Sequence, residues 1–138
     1  MSADTPPVFT FDHYEPGKVY GVKRFCVDEA RVAQWRSVYP DDIDPVDPGA
    51  MPGGMLAMIV LDAVLTHHAP RPPGGVHGGQ TFDVQRMPRI GEVLATEVSC
   101  LDKDIRSGRK WVRAKTVTRS EATGELLMTG IMTSLVAQ

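Results

Sequence analysis

Cysteine is scarce in this sequence. The 138 residues include two cysteines, Cys26 and Cys100, which lie far apart and form no Cys-X-X-Cys or Cys/His ligand spacing. Disulfide frameworks and structural zinc sites need several such residues at short spacings. We therefore expect neither a disulfide nor a metal site, and we expect both cysteines to act as small core residues.

An excess of positive charge is also missing. The chain has 15 Lys and Arg against 17 Asp and Glu, which gives a formal net charge of -2. Proteins that bind nucleic acid or an anionic membrane surface usually carry a basic patch or stripe. The composition therefore predicts no nucleic-acid partner and no membrane partner.

Long hydrophobic runs are absent as well. The longest, residues 55–65, contains Asp62 and is far shorter than the ~20 residues that span a bilayer. Residues 1–10 have neither the basic start nor the apolar centre of a secretion signal. We therefore expect a cytoplasmic protein.

The composition that remains is that of a folded domain. Hydrophobic residues at 42% and charged residues at 23% lie near the globular average. The length suits one domain over residues 1–138. Glycine and proline concentrate in residues 40–54 and 70–79, which we interpret as two loops.

The first half of the chain predicts a strand and two helices. Residues 19–27 are rich in Val, Tyr and Phe and predict a strand, after which Asp28 suits the N-cap of a short amphipathic helix. Residues 55–65 have the length and helix formers of a second helix, but they are apolar on nearly every face. Such a helix must be covered by other elements.

The second half predicts a sheet that provides this cover. Its four segments show alternating or β-branched patterns and are joined by short glycine-containing turns, so consecutive strands should mostly be antiparallel neighbours. An apolar helix and a sheet with one apolar face satisfy each other if the sheet curves around the helix. We therefore expect an α+β fold, with a curved antiparallel sheet wrapped around a buried central helix. The predicted strands are residues 76–86, 92–101, 110–119 and 126–136.

Two segments of the chain resemble the MaoC-like family of hydratases and dehydratases, which act on acyl thioesters. Residues 11–17, Phe-Asp-His-Tyr-Glu-Pro-Gly, resemble the family's entry segment, and residues 80–92, which end in Gly91-Glu92, resemble one of its strands and the following turn. The similarity extends over residues 11–136. It implies the hotdog fold, which uses this same order of elements.

The resemblance also implies a catalytic loop. In the family, a D-x-N-P-[ILV]-H loop supplies an Asp and a His that activate one water. Here Asp42, Pro45 and Val46 match, whereas Asp44 replaces the Asn and Asp47 replaces the His. Two carboxylates in a poorly solvated cleft can still supply a base, because like charge and desolvation raise the pKa of a carboxyl group. We expect Asp42 and Asp47 to position water; the alternative is a solvated acidic turn.

Gly53 and Gly54 form a second candidate element. A helix that begins after glycines presents free N–H groups and a positive dipole end, which suit the oxyanion of a thioester carbonyl. The alternative is that the glycines only let the chain enter a crowded helix.

Three further residues complete the predicted site. His77, just before the next strand, is the best substitute base in the chain, although a loop histidine is more often only solvated. Arg86 and Arg89, at the end of a strand and in its turn, are candidates for the nucleotide phosphates of coenzyme A, with simple solvation as the alternative.

The resemblance implies a lyase, a hydratase or dehydratase for a coenzyme A or carrier-protein thioester that needs no cofactor. Two alternatives stay open: a hotdog thioesterase that uses a carboxylate, and a silent acyl-binding subunit beside a partner hydratase chain. A lone sheet leaves an open edge, so we expect a homodimer or a higher homo-oligomer.

Overall fold

The computed structural model describes residues 7–137, which form one five-stranded antiparallel sheet and two α-helices. The strand order is β1-β3-β4-β5-β2, and a short 3-10 helix, Phe11–His13, precedes β1. Within the described residues, no helix is long and apolar enough to cross a membrane. The elements are β1 (Val19–Cys26), α1 (Glu29–Val38), α2 (Met55–His67), β2 (Val76–Val84), β3 (Val93–Arg106), β4 (Arg109–Ser120) and β5 (Leu126–Val136).

Helix α1 begins where the sequence predicts. The carboxylate of Asp28, its N-cap residue, accepts a hydrogen bond of 2.7 Å from the backbone N–H of Arg31. This bond satisfies one of the N–H groups that a helix start leaves free. Val32 is buried in the main core, and Trp35 packs against the edge of that core. The helix is therefore fixed by its cap and by one apolar face.

Helix α2 is the central helix, and its buried face lies against the sheet. Residues from β1, β3 and β5 share its core clusters, and five of its 13 residues are buried. Leu61 and Leu65, on the other side, are 39% and 37% exposed, because the described chain covers α2 from the sheet side. The buried residues recur at helical spacing: Met55, Ile59, Val60, Ala63 and Val64.

The sheet has one buried and one wet face, as the alternation predicts. In β4, Val112, Ala114 and Thr116 are buried, whereas Arg113 and Lys115 between them are exposed. Successive side chains of a strand point to opposite faces, so all three buried residues face the core. This pattern confirms the predicted antiparallel sheet with an apolar inner face.

One predicted neighbour relation is wrong. Strands β2 and β3 are consecutive in sequence but do not pair, since β2 pairs with β5 and β3 lies between β1 and β4. The connection between them packs on the segment before α2. There Met51 donates its N–H to the carbonyl of Pro88 at 2.8 Å, and Ile90 donates to Gly49 at 2.9 Å. The connection thus leads from β2, at one edge of the sheet, to β3, which is next to the strand at the opposite edge.

Candidate functional site

A cleft lies at the N-terminal end of α2. It has a volume of about 570 Å³, and Trp35, Asp42 and Gly54 are among the residues that line it. A second cleft of about 600 Å³ shares Trp35 and is also lined by Met58 of α2. Both clefts are largely open to solvent, and their volumes lie in the range of small-molecule sites. The segment that resembles the MaoC-like catalytic loop therefore borders space for a ligand.

Asp42 is held in this cleft by three hydrogen bonds. Its Oδ1 accepts from the backbone N–H of Gly53 at 3.0 Å, and its Oδ2 accepts from the N–H of Gly54 at 3.0 Å. The indole Nε1 of Trp35 also donates to Oδ2, at 2.8 Å. The structure thus brings together three of the predicted site residues, Asp42, Gly53 and Gly54, in one hydrogen-bonded group.

The same contacts use the N–H groups that open α2. Gly53 and Gly54 donate to Asp42, while Met55 donates to the carbonyl of Pro52 and Leu56 to that of Gly53. A carboxylate oxygen therefore occupies the position that we expected for a thioester oxygen. The N–H groups of Gly53 and Gly54 therefore already have an acceptor in this structure, the carboxylate of Asp42. A substrate carbonyl would have to take an N–H group from Asp42.

Gly54 is also required for space. A Cβ atom at this position would lie 2.6 Å from the Trp35 ring and 2.9 Å from Oδ2 of Asp42. At Gly53 the nearest atom would be 3.8 Å away. The close approach of indole and carboxylate to the start of α2 therefore depends on the missing side chain at position 54.

Asp47 has a different partner from Asp42. Its carboxylate forms an exposed ion pair with the guanidinium of Arg89, and within residues 7–137 no hydrogen bond joins the two predicted catalytic carboxylates. Asp44 accepts a hydrogen bond of 2.9 Å from the backbone N–H of Val46, which is the turn geometry of the alternative interpretation. The loop in this structure thus holds Asp42 in the cleft and Asp47 on a surface cation.

Arg86 is held by two carboxylates. Its guanidinium donates to Glu92 at 2.8 Å and to Glu125 at 2.9 Å, and Glu92 is largely covered. These hydrogen bonds raise the pKa of Arg86 and lower that of Glu92. The sequence predicted Arg86 as a contact for nucleotide phosphates, with simple solvation as the alternative. In this structure its guanidinium links the start of β3 to the β4–β5 turn.

His77 lies at the start of β2 and lines a separate cavity with Tyr14 and Arg71. Its Nε2 is 3.1 Å from the carbonyl oxygen of Gly79. Neither cleft at the start of α2 is lined by His77. Within one chain, the structure therefore does not bring His77 together with Asp42.

Trp35 is a residue of this site that the sequence did not indicate as one. Its helical spacing with Val32 and Tyr39 indicated an apolar face, and its ring does pack beside the core. The available signal was chemical, because a partly buried indole N–H needs an acceptor and the next loop is rich in carboxylates.

No group of three or more His, Cys, Asp or Glu side chains within residues 7–137 could hold a metal ion.

Solved structures provide the comparison with known proteins. The MaoC-like dehydratase from Rhodospirillum rubrum has a TM-score of 0.74 and 17% identity, over 92% of this chain and 95% of that one. The R-hydratase PhaJ1 from Pseudomonas aeruginosa, solved without ligand, has a TM-score of 0.71 and 20% identity. This match covers 95% of this chain and 87% of that one. The C-terminally truncated 3R-hydroxyacyl-ACP dehydratase complex HadBC from Mycobacterium tuberculosis has a TM-score of 0.66 and 19% sequence identity. This match covers 87% of this chain and 96% of that one. The sequence itself matches no protein-family model and no curated protein.

These similarities extend over most of both chains, but the sequence identities are too low to carry an activity across. They agree with the order of elements, the antiparallel sheet and the central helix described above. The structural neighbours of this chain include MaoC-like dehydratases and R-hydratases, and also two thioesterases with TM-scores of 0.61 and 0.58; its fold is the hotdog fold.

Proposed function

We propose that this chain hydrates 2-enoyl thioesters of coenzyme A or a carrier protein, or catalyses the reverse dehydration, at the start of α2. One observation carries the proposal: the carboxylate of Asp42 sits on the N–H groups of Gly53 and Gly54 inside a cleft. A base and an oxyanion site are the two elements that this reaction needs, and here they are adjacent.

In the proposed reaction, the thioester oxygen replaces Asp42 on one of the two glycine N–H groups. Asp42 keeps the indole of Trp35 as a hydrogen-bond donor and turns towards a water molecule. It takes a proton from that water as the hydroxyl adds to C3 of the substrate, and it returns the proton to C2. The negative charge that develops on the thioester oxygen is stabilised by the backbone N–H and the helix dipole.

The proposal includes a second copy of the chain. Strand β2 is an edge strand with open backbone hydrogen-bonding groups, and Phe82 and Val84 on it are each 38% exposed. Leu61 and Leu65 add exposed apolar surface on α2. Antiparallel pairing of two β2 edges is self-complementary and satisfies both sets of backbone groups.

The ion pair between Asp47 and Arg89 favours one alternative, a subunit that binds acyl thioesters without hydrating them. Asp47 occupies the sequence position of the family's His, and its carboxylate is paired with the guanidinium of Arg89. In that case the active site would be completed by a partner hydratase chain.

An assay with two substrates separates the candidates. The purified chain is incubated with crotonyl-CoA and, separately, with butyryl-CoA, and both hydrated product and free thiol are measured. The proposal predicts hydration of crotonyl-CoA with no thiol release from butyryl-CoA. Thiol release would identify a thioesterase, and absence of both reactions, with binding retained, would identify a silent subunit.

A further inference from the structure

A cavity of about 500 Å³ lies beside the C-terminal half of α2 and borders neither cleft at the start of that helix. Its walls are about equally polar and apolar, and Phe9, Leu61 and Met132 are among the apolar residues. Four residues with polar side chains also line it: Tyr14, Arg71, His77 and Ser134. Within the described part of the chain, no acidic residue lines it. The cavity therefore combines apolar surface with several hydrogen-bonding side chains.

Arg71 is the cation of this cavity. Among residues 7–137, no carboxylate lies within ion-pair distance of its guanidinium. The guanidinium lies beside the hydroxyl of Tyr14, whose pKa it acts to lower. A guanidinium at a cavity wall that finds no carboxylate among residues 7–137 suits a ligand that brings its own negative charge.

Tyr14 is held rigidly next to Arg71. The side chain is 5% exposed, and its ring packs edge-on against Phe9 and His68, with centroid distances of 4.7 and 4.9 Å. Burial raises the pKa of Tyr14 despite the neighbouring guanidinium, so the hydroxyl stays protonated at neutral pH and can donate. Packing thus fixes this donor before any ligand arrives.

We propose that this cavity binds a carboxylate carried on an apolar skeleton. The planar guanidinium of Arg71 and the hydroxyl of Tyr14 hold the carboxylate, and Phe9, Leu61 and Met132 contact the apolar part. One guanidinium matches the single charge of a carboxylate, and the apolar half of the wall suits a ligand that carries a hydrocarbon skeleton. The carboxylate can belong to a free organic acid or to the far end of an acyl thioester.

Binding is tested by calorimetry with hexanoate and with hexanamide, its neutral analogue of similar shape. We expect hexanoate to bind at least tenfold more tightly than hexanamide. We expect Arg71→Gln to abolish this preference and Tyr14→Phe to weaken hexanoate binding severalfold. Arg109→Gln, at an exposed site on the β3–β4 hairpin, is the matched control and should bind like the wild type. Thermal melts of each variant verify folding.

A second pair of probes identifies the source of the carboxylate. If it belongs to an acyl thioester, adipoyl-CoA binds more tightly than hexanoyl-CoA, and Arg71→Gln removes the difference. If it belongs to a free acid, hexanoate binds while the two thioesters bind alike. The inference is overturned if neither preference depends on Arg71 in folded protein. Neither measurement requires turnover, so loss of the proposed hydratase activity would leave the result interpretable.

Discussion

At the scale of single residues, the site is defined by which partner each carboxylate has. Asp42 accepts two backbone N–H groups and an indole N–H, whereas Asp47 faces an exposed arginine. The sequence placed Asp42, Gly53 and Gly54 in one predicted site, and in the structure Asp42 accepts hydrogen bonds from both glycines. The need of the Trp35 indole for an acceptor could be read from the sequence, but the choice of Asp42 depends on how the turn after α1 folds back on that helix.

The substitution Asp47→His should raise the rate of hydration. A neutral imidazole accepts a proton near neutral pH, whereas carboxyl groups in general have reference pKa values near 4. The lost ion pair is exposed, so we expect the free energy of unfolding to fall by less than about 1 kcal/mol. Initial rates with crotonyl-CoA measure the effect, with Asp104→His on the exposed hairpin as control. A rate equal to that of the wild type would show that position 47 does not face the reacting water.

His68 should make stability depend on pH. Burial, with smaller contributions from Arg71 and His67, lowers its pKa from the ordinary 6.5 to about 4, and its ring stacks on Phe9. The unfolded chain takes up a proton as pH falls below 6.5, and the folded chain does so only near 4. Stability is therefore lost across this window, by about 3 kcal/mol at its acidic end.

The variant His68→Phe isolates this effect. Phenylalanine keeps the aromatic packing, and the Nε2 that it removes is buried without a hydrogen-bond partner in the described structure. Urea unfolding between pH 7 and pH 4 should show a smaller loss of stability than in the wild type. His13→Phe, at an exposed site, serves as control. Parallel curves for His68→Phe and the wild type would exclude His68 as the source.

At the scale of elements, the start of α2 combines close packing with the proposed site, because Trp35 and Asp42 both contact it there. Gly54→Ala places a Cβ against Trp35 and Asp42, so we expect a loss of about 1–3 kcal/mol from overpacking. Gly53→Ala meets no atom closer than 3.8 Å and is the matched control for stability. Chemical unfolding of both variants measures the difference. Equal stabilities would mean that the indole and the carboxylate move aside at little cost.

Element identity was predictable from local patterns, whereas strand order was not. Apolar runs and periodicity located α2 and the strands, and Asp28 marked the start of α1. The partner of β2 depends on contacts between residues 49–51 and 88–90, which no local pattern encodes. The exposed side of α2 escaped prediction for a related reason, since Leu61 and Leu65 have the composition of core residues.

At the scale of the whole molecule, the open β2 edge predicts self-association. Phe82→Lys puts a charge on this edge and should shift a dimer of about twice 15.1 kDa towards the monomer mass in light scattering. Ile105→Lys is the control, because Ile105 is 58% exposed on the β3–β4 hairpin, away from that edge. A monomeric wild-type chain at micromolar concentration would contradict the proposed dimer.

The most direct test of the proposed site compares crotonyl-CoA hydration by the wild type, Asp42→Asn and the surface control Asp104→Asn. Asparagine keeps one oxygen for the N–H of Gly54 and the indole of Trp35, but it turns an NH2 group towards the N–H of Gly53. We therefore expect the variant to fold with a free energy of unfolding lowered by about 1–3 kcal/mol, and its amide cannot take a proton from water. Under conditions in which its unfolding curve shows it folded, we expect hydration to fall by about 10² to 10⁴ in Asp42→Asn and to be unchanged in Asp104→Asn. Wild-type rates in a folded Asp42→Asn protein would contradict the assignment of Asp42 as the base.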